Sequence, residues 1–142
     1  MDGTGQRGAI PRREMMATDM SSKPSKNDSL RDYLSRSSEV KITVIGRTSG
    51  RRISNPVWFV FEDPMLYLLP VHGSDTQWYK NLVKNPTVRI DAHGAEADFK
   101  AAPITDPKQV SSVVEKFRER YGAGDVKKYY SKFDAAVLVS IA

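Results

Sequence analysis

Short apolar runs separated by turn signals recur along the chain and predict six strands. Most of the runs are rich in β-branched and aromatic residues, and one alternates apolar with polar positions, as a strand that buries one face does. They cover residues 41–46, 55–63, 65–71, 87–94, 95–104 and 135–142. The last run, AAVLVSIA, is apolar enough to predict a strand in the middle of a sheet.

Helical periodicity and capping signals predict four helices, at residues 29–37, 73–86, 106–122 and 125–133. The third helix has the clearest signals. Asp106 is its predicted cap, Pro107 takes the first helical position and Gly122 ends it. For the second helix the predicted cap is Ser74 or Asp75.

The order of these elements favours an antiparallel arrangement, because the strands follow one another as hairpins and do not alternate strictly with helices. We therefore predict an α+β domain over residues 29–142, built as an antiparallel sheet or a small barrel with flanking helices. Residues 1–28 lack periodicity and are rich in Gly, Ser, Pro and charge, which predicts a disordered tail.

Composition narrows the classes of function. The 142 residues carry a net charge of +5, which favours an anionic partner such as a phosphate, a nucleic acid or an acidic membrane surface. The chain has no cysteine, which excludes disulfides and thiolate chemistry. Because no apolar run approaches about 20 residues and the start carries no secretory apolar region, we expect a cytoplasmic protein with at most peripheral membrane contact.

The turn between the first two strands, GRTSGRR at residues 46–52, holds the strongest candidate chemistry. Main-chain N–H groups around Gly50, the hydroxyls of Thr48 and Ser49, and three arginines suit a phosphate or carboxylate, which arginine binds as a fork. The arginines are Arg47, Arg51 and Arg52. The alternative is a solvated hairpin, and composition alone favours that alternative. The stretch is neither a Walker loop nor a dinucleotide-binding loop.

Two further stretches are candidate parts of a binding site. Pro56 and Trp58 point to the same face of the second strand and form a potential shelf for a flat ring, although an edge proline and a core tryptophan explain them as well. Residues from His72 onward lead into a helix N-terminus, which attracts anions, although a capped surface turn is the plainer interpretation. His93, the second histidine, lies in a different turn without supporting carboxylates, so no metal site is predicted.

Basic and aromatic residues are interleaved near the end of the chain, as in many nucleic-acid-binding surfaces. They are Arg118, Arg120, Lys127, Lys128 and Lys132, with Tyr121, Tyr129 and Tyr130. Glu115 and Glu119 interrupt the positive charge at helical spacing, which favours an ordinary solvated face, and no nucleic-acid partner is expected. No G-x-S-x-G elbow is present, so in an enzyme a cofactor would carry the chemistry.

Three blocks in this order resemble the deazaflavin-dependent nitroreductase and quinone reductase family: TVIGRTSGRRISNPVWFV, LYLLPVHGS and WYKNLVKNPTVRI. Members of that family carry G-R-x-[ST]-G, then N-P-[LVA]-[WY]-F, then W-Y-x-N-L-x-x-N-P. The resemblance covers roughly residues 40–142. It implies a split β-barrel related to the pyridoxamine-phosphate-oxidase-like, FMN-binding fold, and an oxidoreductase that binds coenzyme F420.

The resemblance also implies a cofactor site. Its candidate residues are Arg47, Thr48, Ser49, Gly50, Arg51, Arg52, Asn55, Pro56, Trp58, Val71, His72, Gly73 and Trp78. The GRTSGRR residues would meet the phosphate and oligoglutamate tail of the coenzyme, and Trp78 would lie near the tail channel. Pro56 and Trp58 would border the deazaflavin ring. His72 falls where family members often carry a lysine, and this difference leaves FMN open as the alternative cofactor.

The implied reaction is hydride transfer from the reduced coenzyme to a small organic acceptor, such as a quinone, a nitroaromatic or an activated alkene. The candidate catalytic residues are His72, Tyr121, Tyr129 and Tyr130. Val71 stands where the best-known nitroimidazole-activating members carry a serine, and only Tyr121 matches their acceptor-pocket tyrosines, which argues against nitroimidazole activation. A homodimer would fit the family. The alternative function is a non-catalytic cofactor- or anion-binding module.

Overall fold

The computed structural model describes the backbone of residues 26–141 and the side chains of residues 28–141. The first helix, α1, spans Lys26–Arg36 and so begins before its predicted start at Ser29. Residues 1–25, most of the predicted tail, lie outside the described part of the chain. Leu30 and Leu34, one helical turn apart, bury the inner face of α1 in the core.

Six antiparallel strands close into a barrel. In chain order they are β1 (Glu39–Ile45), β2 (Arg52–Glu62), β3 (Met65–Leu68), β4 (Thr87–Ala92), β5 (Ala95–Ile104) and β6 (Ala136–Ser140). Around the barrel the order is β1, β2, β3, β6, β5 and β4, which pairs again with β1. The predicted α+β class with a small antiparallel barrel is confirmed. The central position predicted for the last strand is confirmed too, because β6 lies between β3 and β5.

Two long strands change partners along their length. β2 pairs with β1 as far as Trp58 and with β3 from Phe59 onward. In the same way β5 pairs first with β4 and then, from Ala101, with β6. Within the described part of the chain, residues 52–58 of β2 therefore have a strand on one side only. This open side matters for the site.

The helices follow the sequence signals most closely where those signals are local. α3 spans Pro107–Tyr121, the Asp106 carboxylate accepts a hydrogen bond from the Gln109 main-chain N–H at 3.0 Å, and Gly122 follows with φ 93°. The cap at Asp106, the first helical position at Pro107 and the end at Gly122 are all confirmed. α4 spans Ala123–Tyr129 and is shorter than the predicted 125–133.

The predicted helix over 73–86 is wrong at its start. Gly73–Asp75 forms a 3₁₀ turn, and α2 spans only Gln77–Lys84. The capping position belongs to Thr76 and not to Ser74 or Asp75. The Thr76 hydroxyl makes no capping hydrogen bond to the helix and instead accepts one from the His72 main-chain N–H at 2.8 Å.

Alternation along β2 divides the apolar side chains between two cores. Phe59 points into the barrel, where the largest core cluster lies. Val60 points outward and packs with Val113 and Phe117 of α3 in a second cluster. Trp58, on the same outer face as Val60, contacts that second cluster. The outer face of β2 therefore carries both the packing of α3 and the aromatic wall of the site.

Candidate functional site

Two adjoining cavities lie beside residues 55–58 of β2 and form one cleft. The larger has a volume of about 510 Å³ and is bordered mainly by aromatic and apolar residues. The smaller has a volume of about 440 Å³ and is bordered by the turn after β1 and the start of α2. Three residues border both cavities: Asn55, Thr76 and Trp78. A ligand with a polar arm and a flat ring could therefore occupy both.

The smaller cavity is the cationic end of the cleft. Arg47, Thr48 and Ser49 border it, as do Gln77 and Asn81 of α2. The Arg47 guanidinium donates from Nη1 to the Asn81 side-chain oxygen at 2.8 Å and from Nη2 to the Gln77 side-chain oxygen at 2.9 Å. The main-chain N–H of Arg47 also donates to the Asn81 oxygen, at 3.1 Å. Both acceptors are neutral amides, so they fix the guanidinium in place and leave its positive charge available to an anion.

The other two arginines and Gly50 do not border the cleft. The turn closes tightly, since the Gly46 N–H donates to the Arg51 carbonyl at 2.7 Å and the Gly50 N–H donates to the Gly46 carbonyl at 2.9 Å. Gly50 has φ 71°, a left-handed conformation that glycine adopts without strain. Arg52 is already the first residue of β2 and is exposed. Of the three predicted arginines, only Arg47 reaches the cavity.

The larger cavity is the aromatic end. Trp58 forms part of its wall and stacks on Tyr121, with ring centroids 4.3 Å apart and planes inclined by 11°. Tyr129 meets the Trp58 ring edge-on at 5.6 Å, and Tyr130 lies 6.2 Å from it. Val71 and His72 border the same cavity. Trp58 is thus packed against three tyrosine rings, which set its position in the wall.

The three candidate tyrosines differ in what their hydroxyls can do. The Tyr121 hydroxyl lies 2.7 Å from the Phe59 carbonyl oxygen and 2.8 Å from the Ser38 carbonyl oxygen, and it accepts from the Phe59 N–H at 3.1 Å. Tyr121 does not border the larger cavity, so it positions Trp58 from behind. Tyr129 borders the cavity but is 51% exposed, whereas Tyr130 borders it and is only 6% exposed.

Burial raises the pKa of both Tyr121 and Tyr130 above the ordinary value for a phenol. For Tyr121, hydrogen bonding by the Phe59 backbone opposes part of the effect on the pKa. Both groups are therefore neutral phenols over the physiological pH range. A neutral phenol can donate a hydrogen bond, which a phenolate cannot.

A short segment after α4, residues 131–134, lies against Val71 and His72, and we call it the strap. The Ser131 N–H donates to the Val71 carbonyl at 2.8 Å, and the Ser131 hydroxyl lies 2.8 Å from His72 Nδ1. His72 and Lys132 also form a parallel β-bridge. The strap replaces the last residues of the predicted fourth helix and fixes the His72 ring at the cavity.

Asp134 anchors the far end of the strap. Its carboxylate accepts from the Ser74 hydroxyl at 2.6 Å and from the Ser74 N–H at 2.8 Å. These hydrogen bonds, the Ser74 hydroxyl first, lower the pKa of Asp134 below its ordinary value, with help from Lys132. Gly73 lies beneath this contact with φ 55°, and a Cβ there would come within 2.1 Å of the carboxylate. Gly73 is therefore a packing residue of the strap and does not border the cleft.

The basic residues near the end of the chain are largely engaged within the protein. Arg118 pairs with Glu115 at 2.6 Å, and Lys132 pairs with Asp75 at 3.1 Å. Arg120 donates to the Ser37 carbonyl oxygen. These contacts fit the interpretation of this region as a solvated face better than that of a nucleic-acid surface.

Sequence reasoning missed several residues of the cleft: Glu39, Val57, Leu69, Thr76, Gln77 and Asn81. Asn81 is the most informative of these, because it is 4% exposed and accepts two hydrogen bonds from Arg47. A signal existed in the W-Y-x-N block, where Asn81 follows Trp78 by three residues and thus lies on the same helical face, among buried apolar residues. Polar residues on the buried face of a helix indicate partners elsewhere in the fold.

Comparison with known proteins places the chain among split-barrel proteins. A sequence model described as "Uncharacterized protein conserved in bacteria (DUF2255)" matches residues 31–137. No curated protein matches the chain in sequence. Within the described residues, no helix is long and apolar enough to cross a membrane.

Three solved structures illustrate the fold. The F420-H2 dependent reductase FDR-A is 20% identical, with a TM-score of 0.57 over 72% of this chain and 94% of its own. HutZ, the heme storage protein from Vibrio cholerae, is 16% identical, with a TM-score of 0.59 over 79% and 87%. A candidate pyridoxamine 5′-phosphate oxidase from Listeria innocua is 14% identical, with a TM-score of 0.58 over 81% and 92%. The predicted split-barrel fold is confirmed, and the three descriptions name different functions.

Proposed function

The chain belongs to the DUF2255 family of uncharacterized proteins conserved in bacteria, and we propose that it is an oxidoreductase that transfers a hydride from reduced coenzyme F420 to a small organic acceptor. One observation carries the proposal: a single cleft joins a cationic cavity at Arg47 to an aromatic cavity at Trp58. The coenzyme has the matching form, with an anionic phosphate and oligoglutamate arm on a flat deazaflavin ring.

The cationic end fits the anionic arm by its chemistry. Arg47 supplies a positive charge held by neutral amides, and Thr48 and Ser49 supply hydroxyl donors beside it. In the described residues Arg47 makes no ion pair with a carboxylate, so an incoming phosphate would not have to displace one. We therefore propose these three residues as the anchor of the phosphate and tail.

The aromatic end fits the ring. Pro56, Val57, Trp58 and Leu69 give an apolar wall that can cover a flat heterocycle and exclude water from it. The bound coenzyme would supply the hydride, while His72 and Tyr130 border the space in which an acceptor would lie. The protein would contribute binding and orientation through walls that are already in place.

FMN is the second candidate, and one observation favours it. Only one of the three predicted arginines reaches the cleft, and a single arginine is enough for the one phosphate of FMN. FMN would use the same aromatic wall and only part of the smaller cavity. The two assignments therefore differ in one respect: binding of coenzyme F420 would depend on its long anionic arm, whereas binding of FMN would need only one phosphate.

Titration of the purified protein with each cofactor tests the proposal. We expect the fluorescence of oxidised coenzyme F420 to be quenched or shifted at micromolar protein, and we expect reduced coenzyme F420 to be consumed when a quinone is added. Saturable binding of FMN with no response to F420 would move the assignment to the flavin. Binding of DNA with steep salt dependence, and of neither cofactor, would favour an anion-binding module. The predicted homodimer is part of the proposal and can be checked by analytical ultracentrifugation.

A further inference from the structure

The Tyr130 hydroxyl is a buried polar group without a partner in the described part of the chain. The residue is 6% exposed and borders the larger cavity, yet its hydroxyl makes no hydrogen bond to any described residue. The hydroxyl of Tyr121, next to it in the same cluster, is bound to the Phe59 and Ser38 main chain. Tyr130 thus differs from its neighbour although both are buried.

The position of the Tyr130 ring does not depend on its hydroxyl. The ring meets Phe117 edge-on at 6.0 Å and lies 6.5 Å from the Phe133 ring. The Tyr130 N–H donates to the Val126 carbonyl at 3.0 Å, which fixes the backbone at the end of α4. A phenylalanine would satisfy every one of these contacts, so packing alone does not require a tyrosine here.

A buried hydroxyl without a partner destabilises a fold by an amount comparable with a lost hydrogen bond, and such groups are therefore uncommon. The exceptions usually serve a ligand or water. The cavity beside Tyr130 has room for both. Burial keeps the pKa of this phenol above its ordinary value, so the group keeps its proton and can donate.

We propose that Tyr130 is the hydrogen-bond donor of the larger cavity and that the acceptor molecule presents a carbonyl or nitro oxygen to it. This assignment deepens the proposed function and rests on it in one respect, namely that the acceptor occupies this cavity. Glu39 borders the same cavity, is exposed, and makes no ion pair within the described residues. Its negative charge disfavours a carboxylate at this end, so the substrate class is a neutral carbonyl or nitro compound.

The test uses the protein without any coenzyme and two flat probes of similar shape. Menadione carries two carbonyl oxygens, and 2-methylnaphthalene carries none. The chain has no cysteine, so menadione cannot arylate a thiol. Dissociation constants are measured by following amide NMR peaks during titration of the wild type and of Tyr130→Phe. We expect the wild type to bind menadione more tightly than 2-methylnaphthalene. In Tyr130→Phe the affinity for menadione should fall by about five- to thirtyfold, and the affinity for 2-methylnaphthalene should not change.

Matched variants separate this role from a structural one. Tyr67→Phe removes a tyrosine hydroxyl away from the cleft and should leave both affinities unchanged. Tyr130→Phe should not lower the melting temperature, because the lost hydroxyl makes no hydrogen bond to a described residue. Tyr121→Phe should lower it, because that hydroxyl is bonded to the main chain. Unchanged menadione affinity in Tyr130→Phe, equal weakening of both probes, or no binding of either probe by the wild type would overturn the assignment.

The same measurements keep the two proposals apart. If the protein discriminates between the probes through Tyr130 but does not bind coenzyme F420, the result contradicts the proposed function. The role of Tyr130 as a hydrogen-bond donor would still stand. A protein that binds F420 but treats both probes alike would contradict only the role of Tyr130. Each result therefore counts against one identified statement.

Discussion

Arg47 is held by Asn81 through the backbone and the side chain at once: one amide oxygen accepts from the Arg47 N–H at 3.1 Å and from its guanidinium at 2.8 Å. Asn81 is buried, so few competing water molecules reach this contact. The turn after β1 is thereby joined to α2 by a neutral group. The consequence is a cation whose position is fixed and whose charge is not cancelled.

Replacing Arg47 by alanine should weaken binding of an anionic cofactor by about 1.5–3 kcal/mol, the range for hydrogen bonds to charged groups. Arg51→Ala is the matched control, because Arg51 lies in the same turn but does not border either cavity. Fluorescence titration with coenzyme F420, or with FMN if that is the ligand, measures both variants. Equal losses in the two variants would mean that the turn acts only through its general positive charge.

Replacing Asn81 by aspartate should separate folding from binding. The carboxylate can still accept from both Arg47 groups, so we expect a melting temperature close to that of the wild type. The new ion pair would neutralise the guanidinium, and affinity for an anionic cofactor should fall about tenfold or more. Asn81→Leu, by contrast, leaves the Arg47 donors unpaired and should cost about 1–3 kcal/mol of stability. Undiminished cofactor affinity in Asn81→Asp would exclude Arg47 as the anion anchor.

The Asp134 anchor should make stability depend on acid pH. The pKa of Asp134 is lowered in the folded state, chiefly by the Ser74 hydroxyl, so its contribution is fully present above about pH 4 and is lost as the pH falls through the folded-state pKa. Because the group is largely solvent-screened, we expect at most about 1 kcal/mol. Urea unfolding of wild type and Asp134→Asn at neutral pH and near pH 2 should show a difference in stability that disappears in acid. A difference that persists near pH 2 would contradict this account.

Gly73→Ala should loosen the strap. The new methyl group would lie 2.1 Å from the Asp134 carboxylate, and the residue would have to keep φ 55°. We expect a loss of about 1–3 kcal/mol in unfolding free energy, from backbone strain and the displaced carboxylate. Gly124→Ala in α4 is the control, since a Cβ there meets nothing within 4 Å and its φ is not positive, and it should be neutral or slightly stabilising. If both substitutions are neutral, the strap does not depend on this close contact.

The elements that could be predicted from sequence are those whose signals are local. Asp106 and Gly122 define the two ends of α3 because capping depends on a few neighbouring residues. β5 has the predicted bounds, 95–104, because Gly94 marks the turn and the next helix cap follows closely. Pairing between distant strands carries no comparable local signal. The number of strands and their antiparallel arrangement could still be predicted, from the apolar runs and their order along the chain.

The site could be predicted in part, because its blocks lie close together while its detailed contacts depend on tertiary structure. The turn at Arg47 and the wall at Trp58 border adjoining cavities, and their shared role in binding a cofactor stays a prediction. The prediction could not separate Arg47 from Arg51, since only the folded turn sends one side chain to α2 and leaves the other outside. The strap was missed because residues 131–134 have no periodicity, and their conformation depends on Ser74, some 60 residues earlier in the chain.

The open side of β2 also accounts for Arg52, which takes no part in the cleft. A strand with one unpaired side can recruit a strand from another molecule, and exposed Ile53, at 40%, adds to that risk of aggregation. Pro56 interrupts the row of main-chain donors, and exposed Arg52 places charge at its beginning. Pro56, which belongs to the wall of the cleft, and Arg52, which does not reach the cleft, share this second role. Both help to keep separate copies of the protein from joining edge to edge.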